Sequence, residues 1–117
     1  MTYNPQRYID YIRTAIAKIQ AYTQSGEKAF MTDSKTQEAV LFNFETLCDA
    51  TAQLPENWRA EHPEVNWQVV KDFRNRLAHQ YFNIRLDLVW NAVESGILDE
   101  ILAAVVAMER KHLRQNG

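Results

Sequence analysis

Within the eight residues Arg74-Asn75-Arg76-Leu77-Ala78-His79-Gln80-Tyr81 the chain places a permanent cation, a proton carrier and a phenol. A guanidinium offers a planar fork of donors that matches a phosphate and stays charged at physiological pH. Imidazole gives and takes protons near neutrality. Together they suit phosphodiester cleavage without a metal: a hydroxyl next to the phosphate loses a proton as it attacks, the leaving oxygen gains one, and the extra negative charge is held in place. His79 is the candidate acid or base. Arg74 is the candidate clamp on the phosphate and its transition state. At an RNA 2′-hydroxyl the products would be a 2′,3′-cyclic phosphate and a free 5′-hydroxyl. Asn75 lies four residues before His79, on the same helical stripe. There it either orients the imidazole, holds a phosphate oxygen, or is polar surface.

Helical geometry raises a difficulty. At about 100° per residue, Arg74 and His79 stand about 140° apart on a straight helix, so one helix does not aim both at one atom. A helix that bends or ends near His79 removes the conflict. So does a two-fold dimer whose facing motifs form one cleft, with one His79 as base and the other as acid.

Three glycines and three prolines in 117 residues, with amphipathic runs between them, predict an all-α chain. Asn4-Pro5 reads as a cap with proline at the first helical position, and Tyr8, Ile12, Ala15, Ile16 and Ile19 carry a first helix to about Gln24. An apolar patch, Ala29-Phe30-Met31, leads to Thr32-Asp33. That pair caps a second long helix through Val40, Phe44, Leu47 and Leu54, stopped by Pro55. Glu56 to Glu64 reads as a short helical turn and loop. Asn66 caps a third helix whose core stripe is Val69, Phe73 and Leu77, with Val70 beside it, so the motif flanks the core. Asp87 caps a fourth helix through Trp90 and Val93. A fifth runs from Ile97 or Leu98 through Met108 and frays into a polar tail, 108–117. The sum is an up-and-down bundle of four main helices plus short helical turns in one domain, 1–117.

Composition narrows the class. The formal net charge of −2 argues against a protein that coats nucleic acid indiscriminately. Around the motif the balance reverses: from Asn66 to Leu86, Lys71, Arg74, Arg76 and Arg85 face only Asp72. Taken alone, such a cluster is ordinarily a solvated helix face. The single cysteine, Cys48, reads as a buried thiol in a reducing cytoplasm. The N-terminus carries no basic and apolar leader, and the apolar stretch from Ile97 to Met108 is too short to span a bilayer, which takes about 20 residues. His62, before a proline, and His112, in the tail, read as solvent-exposed, and no metal-ligand spacing occurs. Trp67 and Trp90 read as core or interface anchors. Trp58 falls in a polar loop.

The pattern Arg, four residues, His, one residue, Tyr resembles the signature of the HepT-like branch of the HEPN superfamily. The resemblance continues through Glu45-Thr46-Leu47-Cys48-Asp49-Ala50, Leu54-Pro55, His62-Pro63-Glu64-Val65-Asn66-Trp67 and Leu86-Asp87-Leu88-Val89-Trp90, and covers roughly residues 5 to 107. It implies a small helical toxin that cleaves RNA without a metal, works as a homodimer and is encoded beside an MntA-like nucleotidyltransferase antitoxin, a type VII arrangement. It also implies that the antitoxin silences Tyr81 by adenylylation. AMP there would add bulk and negative charge near Arg74 and His79. The chain departs from the family at Asp49, where Glu is usual, and at Cys48, where a small Gly is usual. The shorter acid points away from direct acid–base work by Glu45 and Asp49, and toward a supporting salt bridge from Asp49 to Arg74 or Arg76.

Two other readings use the same residues. A non-catalytic module could present a nucleotide to the nucleotidyltransferase, with Arg74 on its phosphate. A dimeric scaffold would need His79 only for stability.

Overall fold

Side-chain caps decide where three of the long helices begin in the computed structural model, which describes residues 3–80 and 83–114. Helix α1 (Pro5–Tyr22) starts where the Asn4 side chain accepts the Gln6 N–H, with Pro5 at its first position. Its end is set by Thr23, whose hydroxyl donates to the Ile19 carbonyl at 2.8 Å. Gly26 follows with φ of 94°, a backbone state that costs only glycine little, and the chain enters α2 (Glu27–Thr32). Asp33 accepts from the Lys35 N–H and the Thr36 hydroxyl and starts α3 (Ser34–Ala52). After Pro55 comes α4 (Glu56–Ala60), and Asn66, accepting the Val69 N–H, starts α5 (Trp67–His79). Helix α6 (Leu86–Glu94) is separated from α7 (Ile97–His112) by Gly96 at φ 88°.

Helix α3 is the centre of the bundle: α1, α2 and α5 pack on it, and α7 closes the core against α1 and α6. Every fourth or third residue of α1 faces inward, giving Ile9, Ile12, Ile16 and Ile19, which meet Val40, Phe44 and Leu47 of α3 and Ile101, Val105 and Met108 of α7 in one cluster. Phe30 of α2 plugs one side of the core, its ring 5.5 Å from that of Trp90. Four long helices, α1, α3, α5 and α7, with three short ones between them make the expected all-α bundle, and the described residues contain no strand. None of the described helices is long and apolar enough to cross a membrane.

Several local expectations are corrected. The patch Ala29-Phe30-Met31 is a helix, because Phe30 gains a buried partner in Trp90. Asp87 does not cap α6. Arg85 holds that position, and Asp87 sits in the first turn, bonded to the Arg85 guanidinium at 2.6 Å. Helix α7 continues through His112, so Met108 and Glu109 are buried core rather than the start of a tail. Glu109 is tolerated there because Gln6 donates to it at 2.7 Å and Arg13 at 2.6 Å. His62 and His112 are mostly buried instead of exposed, paired with Glu64 and Glu61. Residues 115–117 of the expected tail lie outside the described residues.

Candidate active site

Three anchors fix helix α5, and with it the motif. At its start the Trp67 indole N–H is shared between the carbonyls of Arg59, 3.0 Å away, and His62, 3.1 Å away. In its middle Phe73 lies against Phe44 of α3, ring centres 5.1 Å apart. Val70 and Leu77 are buried on either side of that contact. The inward stripe is therefore Val70, Phe73 and Leu77, and Val69, expected in the stripe, is 47% exposed. Valine and valine are adjacent in sequence, so periodicity alone did not decide between them; packing on α3 did.

This rotation sets Arg74 at the edge of the α3–α5 contact, one turn beyond Val70. There its Nε–H donates to Asp49 Oδ1 at 2.8 Å, with both side chains about half exposed. Of the two salt bridges expected for Asp49, the one to Arg74 forms. Arg76 projects elsewhere, into a separate pocket of about 150 Å³ shared with Gln80, Asn83 and Arg85.

A groove of about 290 Å³ opens beside the ion pair. Arg74, Asn75 and His79 of α5 line it together with Glu45 and Asp49 of α3. Helix α5 ends at His79, and Gln80 leaves helical geometry at φ −132°, ψ 30°. Arg74 and His79, five positions apart, both line this one groove. His79 and Asn75 are exposed, open to a large substrate. Tyr81 lies outside the described residues.

Cys48, next to Asp49 on α3, is buried and does not line this groove. Burial, and secondarily the Asp49 charge, push its thiol up to about 12, against an opposing pull from Arg74. Such a thiol stays protonated and is a poor nucleophile. Among the described residues, no group of three or more His, Cys, Asp or Glu side chains is arranged to hold a metal ion.

Arg74 has a second side. It also borders a larger cleft of about 540 Å³, walled by Arg59 of α4 and by Trp67 and Lys71 of α5, with Glu56 at its rim. Arg59 was not singled out from sequence, where it sits among polar residues of an apparent loop. Its placement depends on how α4 docks, which no local pattern encodes.

The chain matches the family model described as "Ribonuclease HepT-like" over residues 12–108. Among curated proteins, a "Putative RNase" of Methanocaldococcus jannaschii is 33% identical over 72 residues, covering 62% of this chain and 60% of that protein. A "Probable ribonuclease HepT" of Thermococcus cleftensis is 31% identical over 91 residues, covering 77% of this chain and 83% of that protein. No solved structure matches.

Proposed function

Since the chain belongs to the HepT-like family, whose model spans residues 12–108, we propose that it is an endoribonuclease acting through Arg74 and His79. The observation that carries this reading is the shared groove. A cation that fits phosphate and an exposed imidazole line one concavity at the end of α5. The named activity of the two relatives supports the same reaction class.

In the proposed reaction the 2′-oxygen attacks the adjacent phosphorus as His79 takes its proton. The bond from phosphorus to the 5′-oxygen breaks, and an imidazolium returns a proton to that oxygen. In a two-fold homodimer the acid is the partner subunit's His79, so neither imidazole must reverse its role within one turnover. Arg74 meets the charge that builds on the non-bridging oxygens. A pre-aimed donor of this kind is worth about 3 to 4 kcal/mol in a partly dry site. Asn75, on the stripe of His79, positions the imidazole or a phosphate oxygen. Asp49 keeps the guanidinium extended toward the groove, and Arg76 contributes positive potential from outside it. No metal or other cofactor enters this scheme.

The biological setting belongs to the same proposal. The enzyme is a cytoplasmic toxin of a type VII toxin–antitoxin pair, held silent by an MntA-like nucleotidyltransferase that adenylylates Tyr81. Tyr81 stands two positions after His79 in the chain, and that closeness in sequence supports a modification that interferes with the groove.

The test is cleavage of cellular RNA in EDTA by purified protein whose Tyr81 is shown by mass spectrometry to be unmodified. Wild type is expected to yield cyclic-phosphate ends, and folded His79→Ala protein none. RNA left intact by unmodified wild type would favour the non-catalytic nucleotide-binding module instead.

A further inference from the structure

Outside the motif's groove, the strongest concentration of unassigned chemistry is the cleft on the far side of Arg74. Three cations line it, Arg59, Lys71 and Arg74, against one carboxylate, Glu56, on a chain whose net charge is −2. A pocket of about 540 Å³ lies within the ordinary range for small-molecule sites, roughly 300 to 1,000 Å³, and is larger than the groove itself. Arg59 reaches this wall from α4, so the cleft takes cations from two helices, α4 and α5. Trp67 is part of the same wall. Its indole N–H is tied to the Arg59 and His62 carbonyls, which keeps the ring from rotating.

We propose that this cleft is a second nucleotide subsite, in which Arg59 and Lys71 grip a phosphate flanking the scissile one in single-stranded RNA while Trp67 offers a stacking wall to a base. The inference rests on the ribonuclease reading and adds to it how the substrate is held. Arg74 borders both cavities, so a strand leaving the His79 groove passes the guanidinium as it enters the cleft, where cations outnumber the one carboxylate. Length favours a polynucleotide over a mononucleotide. Lys71 and His79 are eight residues apart on one helix, about 12 Å along its axis, too far for a single phosphate to touch both. Aromatic platforms beside cations are the usual means of holding unpaired strands without reading their sequence.

The experiment compares oligonucleotides that carry one ribonucleotide, and so one cleavable linkage, in an otherwise 2′-deoxy strand. A dinucleotide fills only the groove, and a hexanucleotide reaches the cleft. Wild type is expected to cut the hexanucleotide with kcat/KM at least about tenfold higher. Lys71→Ala and Arg59→Lys should lose about tenfold more on the hexanucleotide than on the dinucleotide, mostly through KM. Lys71 is exposed, so its truncation does not threaten the fold. Binding of an all-2′-deoxy hexanucleotide to Lys71→Ala should also show a salt slope of log K shallower by about 0.7, the increment for one phosphate contact on a single strand, and Lys71→Arg should restore it.

Equal kcat/KM on both lengths, or equal losses on both in the variants, would overturn the subsite and leave the ribonuclease intact. No cleavage of either substrate, with Lys71-dependent binding of the deoxy strand preserved, would uphold the subsite and remove the ribonuclease reading.

Discussion

Asp49 and Arg74 show how one residue pair sets the temper of the site. Their bond is short, 2.8 Å, yet both side chains are about half exposed, and exposed pairs contribute about 0 to 1 kcal/mol. The pair therefore orients more than it stabilises. It occupies Nε, leaving the terminal nitrogens of the guanidinium to face a phosphate. Arg74→Ala is expected to lower kcat by about 10² to 10³, the loss typical of removing one transition-state donor, with the bundle intact. Asp49→Ala should change kcat/KM less than about fivefold and stability by less than about 1 kcal/mol. Steady-state kinetics alongside urea melts would separate the two. A thousandfold loss in Asp49→Ala would promote the carboxylate to a direct catalytic role, and no effect on either quantity would leave it as surface. At this scale the sequence was legible in part. Residue type and the family resemblance singled out Arg74 and His79, spacing on a straight helix set them apart, and the Asp49 salt bridge was one of two options. Arg59 was invisible, because nothing near it in sequence tells that Trp67 will draw its carbonyl toward α5.

At the scale of elements, local signals and tertiary ones divide cleanly. Asn4, Asp33 and Asn66 each cap the helix that follows, and such caps are readable because donor and acceptor lie within three residues. The inward phase of α5 was not, since Val69 and Val70 offer equal hydrophobicity and only the surface of α3 selects the second. Nor was the clamp between α4 and α7. Lys111 and His112 bond Glu61 at 2.7 and 2.9 Å, and the His112 ring stacks on Trp58 at 4.2 Å. These partners are some fifty positions apart, beyond any helical period. The clamp yields a pH prediction. Hydrogen bonds from Lys111, then from His112, hold the Glu61 carboxyl down at about 2, from an ordinary 4.5. A depressed carboxylate stabilises the fold fully above its unfolded value and loses that contribution as the pH falls toward its folded value. Docking of α4 should thus weaken between pH 4.5 and about 2, reported by Trp58 fluorescence as the stacked ring is released. Glu61→Gln should abolish that transition in this window. A transition unchanged in the variant would assign it to other carboxylates, such as Glu109.

For the whole molecule the open question of chemistry becomes one of symmetry. Within one chain, Arg74 and His79 share a groove, but a single imidazole must act as base and then as acid. A C₂ pairing of these grooves would supply two imidazoles and two guanidiniums to one cleft, concentrating positive charge on a chain that is acidic overall. The two cases differ in how activity depends on mixing. Wild-type and His79→Ala protomers, refolded together so that subunits distribute at random, form doubly wild-type dimers in proportion to the square of the wild-type fraction. If both imidazoles serve one turnover, kcat per protomer follows that square, and an equal mixture retains about a quarter of the activity. If each groove works alone, activity falls in direct proportion and the same mixture retains half. Sedimentation of the mixture would establish that dimers are present at the assay concentration. A linear decline among demonstrated dimers would discard the shared cleft and require that the end of α5 alone bring His79 to both the attacking and the leaving oxygen.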